Sequence, residues 1–469
     1  MRIIQHLLLI AFIGFSQFVY ATHNIAGEIT YTHSGNLIVE FRVSTFTKLS
    51  SVPADRDSLH VCFGDGVCKW ALRINGPDID MDDIPDGEIV SASHKMSIYS
   101  TDHTYQSNGQ YTVSMTDPNR NGGIMNILNS ANTPFHLETT FNLDAAVPDN
   151  SPVMLEFPID KGVVGEPFTH IPNAFDSDGD SLSFKEIIPL QDINTEISSY
   201  WYVDELMPGP NNQVFLDHEF GLFDWSAPQA EGAYTVAILV ESYRNGVLMS
   251  SIIRDMQIDI YEAENFPPDC IINTPGVNEN TAMMVSIGDT VRLEITASEV
   301  EGQLVDLTAT SGLFSSFNQN AEFVVSSSGN TSTGHLEWIV DQEHVRDQPY
   351  MFVFKAKNNN PSSELAAFRK VRYLVSDMTT SIEQVEPETP SINVFPNPVG
   401  AGRLLHIQWE SQFAPSSFTI FDQMGRIIRQ GKLDNADQRL STNGLLQGLF
   451  LLKIDHSENK SQVVPFLVK

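Results

Sequence analysis

The residues best placed to do chemistry in this chain are the acids of Asp176-Ser177-Asp178-Gly179-Asp180. Carboxylates at alternate positions around a glycine turn can converge on one hard cation, and Ca2+ accepts six to eight oxygens. Three acids leave such a shell short, so further oxygen ligands must come from outside the run, with Ca2+ the expected ion. The run is no EF-hand loop, because glycine stands at the fourth position instead of the sixth and Ile187 at the twelfth. A solvated acidic turn that holds no ion tightly is the plainer alternative. In the related run Glu299-Val300-Glu301-Gly302-Gln303 an amide replaces the third acid, which predicts weak binding or none. The acids between Asp78 and Glu88 read as a solvated loop.

Cys62 and Cys68 flank Phe63-Gly64-Asp65-Gly66-Val67, and Asp-Gly is a strong hairpin signal. The two thiols then face each other across a hairpin, and an oxidising compartment would join them as a disulfide. Cys270 is left over, either buried and inert or paired outside the chain. No His or Cys at zinc-ligand spacing lies nearby. Catalytic signatures are missing: there is no Gly-x-Ser-x-Gly elbow, no His-Glu-x-x-His, no phosphate loop and no dinucleotide fingerprint. His94, His103 and His136 show no ligand spacing, and His103 reads as a strand residue at a domain seam. The adjacent Tyr200, Trp201 and Tyr202 are either an exposed platform for sugar rings or a core contact.

The elements that must carry these residues are strands. The chain has 469 residues, 41% of them hydrophobic and 10% aromatic, enough apolar matter for three or four packed domains. Its 25 prolines and 29 glycines punctuate short alternating runs, the pattern of many short strands. A formal net charge of −32 repels nucleic acid and anionic lipid, and suits both a solvated extracellular protein and cation binding. Three elements repeat: Gly109-Gln110-Tyr111-Thr112-Val113, Gly232-Ala233-Tyr234-Thr235-Val236 and Gln348-Pro349-Tyr350-Met351-Phe352-Val353. Each is followed by an Asn-bearing turn, at Asn119–Gly122, Asn245–Gly246 and Asn358–Asn360. The tyrosines recur at roughly 120 residues, one sandwich-sized domain per period. Trp225 and Trp338 precede the second and third tyrosines as equivalent core aromatics.

Proline-bearing links at 148–152 and 265–269, and the acidic stretch 377–390, mark the joints. The expected modules are 22–148, 149–264 and 265–377, then a linker at 378–390 and a terminal module at 391–469. Met1 to Ala21 reads as a secretory signal: Arg2, a short apolar run from Leu7 to Phe15, and a small-x-small end at Val19-Tyr20-Ala21. The run is shorter than the ~20 residues that a spanning helix needs, and no other stretch reaches that length, so the mature chain is expected to be soluble.

Several motifs carry a family resemblance. His103-Thr104-Tyr105 with Gly109-Gln110-Tyr111-Thr112-Val113 resembles the signature of the polycystic-kidney-disease (PKD) repeat, an Ig-like sandwich. Val164-Gly165-Glu166-Pro167-Phe168, the Asp176–Leu182 run, Trp225 and Gly232-Ala233-Tyr234 together are similar to bacterial cadherin-like Ig domains, in which the acid run lies near a domain end and the linker supplies part of the Ca2+ shell; that resemblance implies Asp149, Asn150 and Glu166 as co-ligands. His23 to Tyr31 resembles the mature start of surface proteins from gliding and adherent Bacteroidota-type bacteria, with Ala26 in place of one glycine. The tail matches most specifically. Phe395-Pro396-Asn397-Pro398, then Asp422 with Gly425-Arg426, then Gly448 with Lys453, then Phe466 to Lys469, resembles the type A sorting domain of type IX secretion, with Phe450 where Tyr is commoner. That resemblance implies passage across the outer membrane, then removal of the tail and often lipid attachment.

The fold expected is all-β: tandem Ig-like β-sandwiches and a small C-terminal β-sandwich sorting domain. The expected protein is secreted or on the outer cell surface. It is a noncatalytic modular protein of adhesion, gliding or envelope structure, whose partners are the type IX secretion machinery and an extracellular ligand such as a glycan. A carbohydrate-binding accessory protein is the alternative, and a secreted hydrolase the third reading.

Overall fold

The computed structural model describes residues 24–376 and 393–469, apart from 52–54, 80, 210, 263–264, 300–301, 361–363, 409–414, 423–425, 434–436 and 457–460. The signal at 1–21, the linker at 378–390, Glu301 and the sorting residue Gly425 lie outside the described residues. The fold is all-β. Strands form where apolar and polar residues alternate with period two; Thr290–Ser298 alternates exposed and buried positions along most of its length. The chain divides into two compact units between Thr379 and Thr380.

In the first unit one sheet runs through Asn24–Gly35, Ile38–Lys48, His94–Thr104, Cys68–Arg73, Ser58–Cys62, Gly109–Asp117 and Phe135–Leu143, then into Val247–Tyr261. A short pairing of Gly27 with Asp255 brings that path back to its first strand. The strands expected to make a self-contained first sandwich are therefore closed into a ring by a strand from the second. The sequence boundary at 148/149 hides this, because pairing across it is long-range and leaves no local pattern. The same Val247–Tyr261 pairs antiparallel with Gly232–Arg244 and parallel with Ile159–Val163 on the side of the second core. The third sandwich has two four-stranded sheets and repeats that arrangement: Ala366–Ser376 pairs antiparallel with Tyr350–Asn358 and parallel with Met283–Ser286.

The recurring tyrosines have recurring work. The Tyr111 hydroxyl donates to Ser107 O at 2.9 Å and the Tyr234 hydroxyl to Ala230 O at 2.8 Å. Each pins the start of a strand to the backbone four residues upstream, as in the tyrosine corner of Ig-like sandwiches. Trp225 meets Tyr234 at 5.0 Å and Trp338 meets Tyr350 at 5.8 Å, both edge to face. Each of these four rings is buried. Phe175, beside the acid run of the second module, belongs to the third core, so side chains as well as strands cross the expected boundaries.

The second unit packs a three-stranded sheet (Asn393–Phe395, Leu404–Gln408, Asp437–Ser441) against a four-stranded one (Ile427–Lys432, Pro415–Phe421, Gly448–His456, Ser461–Val468). The run from Leu449 to Ile454 alternates: Phe450, Leu452 and Ile454 are buried, while Leu449 and Leu451 face out.

Ring closure leaves no room at Gly27. A methyl group there would lie 2.6 Å from Ser44 O and 2.9 Å from Leu137 Cδ1. Gly27→Ala is expected to destabilise the protein by about 1–3 kcal/mol through overpacking, read as a lower urea midpoint.

Candidate functional site

The acid run is drawn around an arginine. Arg244 ends the strand Gly232–Arg244, before the Asn245-Gly246 turn, and reaches across to the run. Its Nε lies 2.7 Å from Asp180 Oδ1, and its Nη2 lies 2.8 Å from Asp149 Oδ1 and 3.3 Å from Asp178 Oδ2. Asp178 also accepts from Asn150, from the backbone amide at 2.6 Å and from Nδ2 at 2.9 Å. Asp176 turns inward and accepts the amides of Asp178 and Asp180 at 2.9 and 3.1 Å, the closing bonds of an Asx turn. The Tyr31 hydroxyl donates to Asp149.

These residues do not fit a calcium shell. A guanidinium already stands among three of the carboxylates, and a divalent ion would have to displace it. Glu166 sits in the turn after Ile159–Val163, and among the described residues no hydrogen bond or ion pair joins it to the cluster. The structure brings together Asp149, Asn150, Asp178 and Asp180, but as an ion-pair cluster of the second module, tied to the first by the Tyr31 hydroxyl on Asp149 and Arg244 Nη1 on Pro148 O. Burial, reinforced by Asp180, pushes the Asp149 carboxyl up to about 7 against the pull of Tyr31 and Arg244. Burial and the neighbouring acids push Asp176 up to about 6.

The other expected sites resolve as follows. Cys62 and Cys68 are opposed in register and joined as a disulfide. Among the described residues, one group of three His, Cys, Asp or Glu side chains brings its ligand atoms within 4.8 Å of one another: His60, Cys62 and Cys68. Both sulfurs are in the disulfide, so no thiolate remains for a metal. His103 stacks on Phe63 at 4.2 Å and meets Asp65 at 2.7 Å, which fastens the hairpin tip within the first module. Cys270 is buried in the third core, and burial pushes its thiol up to about 11. The acids from Asp78 onward serve their own loop: Asp78 accepts the amides of Met81, Asp82 and Asp83, and Asp86 that of Ile79. Tyr200, Trp201 and Tyr202 form no common face. Tyr200 packs against Ile124 and Ile127, while Trp201 is 57% exposed.

The sequence reading missed a buried charge network that joins all three modules. Neighbouring residues on a strand face opposite sides, and Arg254 and Asp255 use both. Asp255 takes Arg120, with Nη1 at 3.0 Å from Oδ1, and the Arg120 guanidinium also lies 5.0 Å over Phe135. Arg120 comes from the Asn119–Gly122 stretch, which the sequence marks only as a turn. On the other face Arg254 meets Glu28 of the first module at 3.0 Å and donates to Glu156 O. Beside it Lys355, from the third module, lies 2.9 Å from Asp160 and 3.5 Å from Glu156. His170 Nδ1 lies 2.5 Å from the other Asp160 oxygen. Burial alone would lower the Lys355 ammonium; Asp160 and Glu156 outweigh it and hold it above the usual lysine value. A signal was there to read: Arg254-Asp255 interrupts an apolar strand, and charged residues in such a strand are buried only when paired.

In the second unit the sorting residues converge. Asn397 Nδ2 donates to Pro465 O at 3.0 Å, and the Leu467 amide donates to Asn397 Oδ1 at 3.0 Å. Phe395 stacks on His406 at 5.3 Å, and Pro396 and Pro398 flank the Asn397 turn. Lys469 N donates to Val399 O at 2.9 Å. Asp422 holds Arg426 twice, by its amide at 3.0 Å and its Nε at 2.7 Å. Lys453 pairs with Asp455 at 2.8 Å on the strand that Gly448 opens. Asp422, Arg426 and Gly448 line one groove of about 340 Å³, with Leu446 83% exposed beside them.

Two measurements check this account. Lys355→Met strands Asp160 and Glu156 without their cation and is expected to cost about 3–5 kcal/mol of stability in urea unfolding. A carboxyl whose folded pKa is raised contributes most stability below its unfolded value, near 4, and loses it as pH rises through the folded value. Asp149 and Asp176 therefore make the parent less stable as pH climbs from about 4 to 7. Asp149→Asn is expected to flatten the fall in melting temperature across that window.

Residues 393–469 match the family model described as a secretion system C-terminal sorting domain. No curated protein matches the chain. Solved structures with some likeness include a chimeric titin Z1Z2-Z1Z2 tandem, at 12% identity over 48% of this chain and 100% of that one, with a TM-score of 0.17. Dpr2 Ig1-Ig2 in complex with DIP-Theta Ig1-Ig3 matches at 10% identity over 74% and 99%, with a TM-score of 0.16. The cadherin-like domains 1 to 4 of zebrafish RET match at 9% identity over 77% and 82%, with a TM-score of 0.15. TM-scores this low add nothing to the fold described above. Residues 393–469 are a type IX sorting domain, and the chain that carries them is a secreted or cell-surface protein.

Proposed function

We propose that this chain is a noncatalytic modular protein of the outer cell surface, in adhesion, gliding or envelope structure, delivered by its sorting domain. The observation that carries the reading is the terminal unit itself, in which Asp422, Arg426 and Gly448 line one groove. The rest of the chain supports display over turnover. Its acid–histidine pairs serve packing: His170, paired with Asp160, is wholly buried and out of reach of a substrate. The modules are tied to each other by shared strands and buried ion pairs, which suits a scaffold that must hold its shape outside the cell.

Export is tested in the native host. Deleting 391–469, or combining Asp422→Ala with Arg426→Ala, is expected to leave the protein in the periplasm and abolish surface labelling of intact cells. Normal surface labelling of the deletion would overturn the reading.

A further inference from the structure

Above the charge network lies a cavity of about 520 Å³, within the 300–1,000 Å³ range of small-molecule sites. All three modules of the first unit line it, and domain junctions are a preferred place for such sites. Its walls are largely apolar and include Ile25, Val90, Phe157, Leu307 and Val325. Phe157 is 41% exposed and is braced from behind by Phe46, ring to ring at 5.6 Å. Polar and charged side chains interleave with these walls, and their state narrows the ligand.

Each lysine of the cavity is already paired within it. Lys355 holds Asp160 at 2.9 Å and Glu156 at 3.5 Å, while Lys161 and Lys357 hold Glu364 at 3.7 and 4.0 Å. An anionic ligand would have to break one of these pairs and leave a partner charge uncompensated, which is costly, while Asp259 and Asp306 line the cavity outside the pairs. A neutral ligand faces no such penalty. A carboxylate has about four lone-pair sites and an ammonium three protons, so even Asp160, held by both Lys355 and His170, keeps sites for hydroxyls. His94 adds an open valence. It is only 4% exposed; its Nδ1 lies between the hydroxyls of Ser91 and Ser93, at 3.1 and 3.0 Å, while Nε2 is buried without a partner. Burial, helped by Lys161 and Lys48, pulls this imidazole down to about 4, so it stands neutral at physiological pH. A buried ring nitrogen without a partner is a group that a ligand hydroxyl would satisfy.

We propose that this junction cavity binds a neutral saccharide, with the C–H face of a sugar ring against Phe157 and its hydroxyls on His94 Nε2 and the paired acids. The site is distinct from Trp201, the exposed aromatic of the second module. Occupancy would bridge three modules, so a bound sugar would also stiffen the junction.

The test uses the purified chain without its signal segment, a glycan array of neutral and charged oligosaccharides, and calorimetric titration with the neutral oligosaccharides that bind. Val325→Trp fills the cavity from a partly exposed wall and leaves the charge network intact; Phe157→Ala removes the stacking surface. Melting temperatures of both variants confirm folding, and Trp201→Ala is the control. The expected result is binding of a neutral glycan that changes less than twofold between low and high salt. Val325→Trp and Phe157→Ala should each weaken it at least tenfold, and Trp201→Ala should leave it unchanged. The proposal is overturned by the absence of any neutral glycan signal, by preference for charged sugars with strong salt dependence, or by loss in Trp201→Ala with Val325→Trp unaffected. Because it is read on purified protein, the outcome is independent of the export route.

Discussion

The structure of the first unit rests on charges that water cannot reach. Arg254, Asp255, Asp160, Glu156 and Lys355 are buried or largely so, and isolated charges in such surroundings would cost several kcal/mol each. They are tolerated because each finds its opposite on another module: Arg254 on Glu28, Asp255 on Arg120, Lys355 on Asp160 and Glu156. A module displaced from its neighbours would leave such charges unpaired. The ion pairs therefore act less as glue than as a penalty on wrong arrangements. They constrain orientation more than they add stability, in keeping with the near break-even energetics of buried pairs.

The strand Val247–Tyr261 is the physical link. It closes the ring of the first module, forms a sheet of the second, and carries Arg254 and Asp255 on opposite sides. Arg244, at the end of the preceding strand, gathers Asp149, Asp178 and Asp180 nearer the surface, within the second module. A strong negative balance is thus handled locally by a few arginines and lysines at joints, while other acids, such as Asp78, sit in solvated loops bonded to their own backbone. The terminal unit solves a different problem. Its sorting residues split into those that build it, such as Asn397 and Phe395, and those that line a groove, such as Asp422 and Arg426.

Much was legible in the chain, and the particular residues show why. Alternation exposed the strands. The Gly-x-Tyr element, repeated at Tyr111 and Tyr234, foretold a bond that each tyrosine makes within four residues of itself, so its signal is local. The Cys62–Cys68 hairpin was readable for the same reason: the turn between the thiols sets their register. The tail was readable because its motifs recur in order. The acid run misled because its reading was one-sided. Three carboxylates in sequence point to a cation, but the cation that meets Asp178 and Asp180 is Arg244, more than sixty residues away and supplied by a neighbouring strand. The aromatic triplet left two readings open, because the packing of Tyr200 depends on Ile124 and Ile127 of another module.

By itself the sequence determined the strand content, the repeat period, the disulfide hairpin and the sorting tail, all of which rest on residues close in the chain or on a motif order. Only the tertiary structure decided that a strand is shared between modules, that Arg120 and Lys355 are anchors instead of surface charges, and that a cavity lies where three modules meet. Those outcomes depend on which charges are desolvated together, and desolvation is a property of the packed ensemble of neighbours that no single stretch of residues carries.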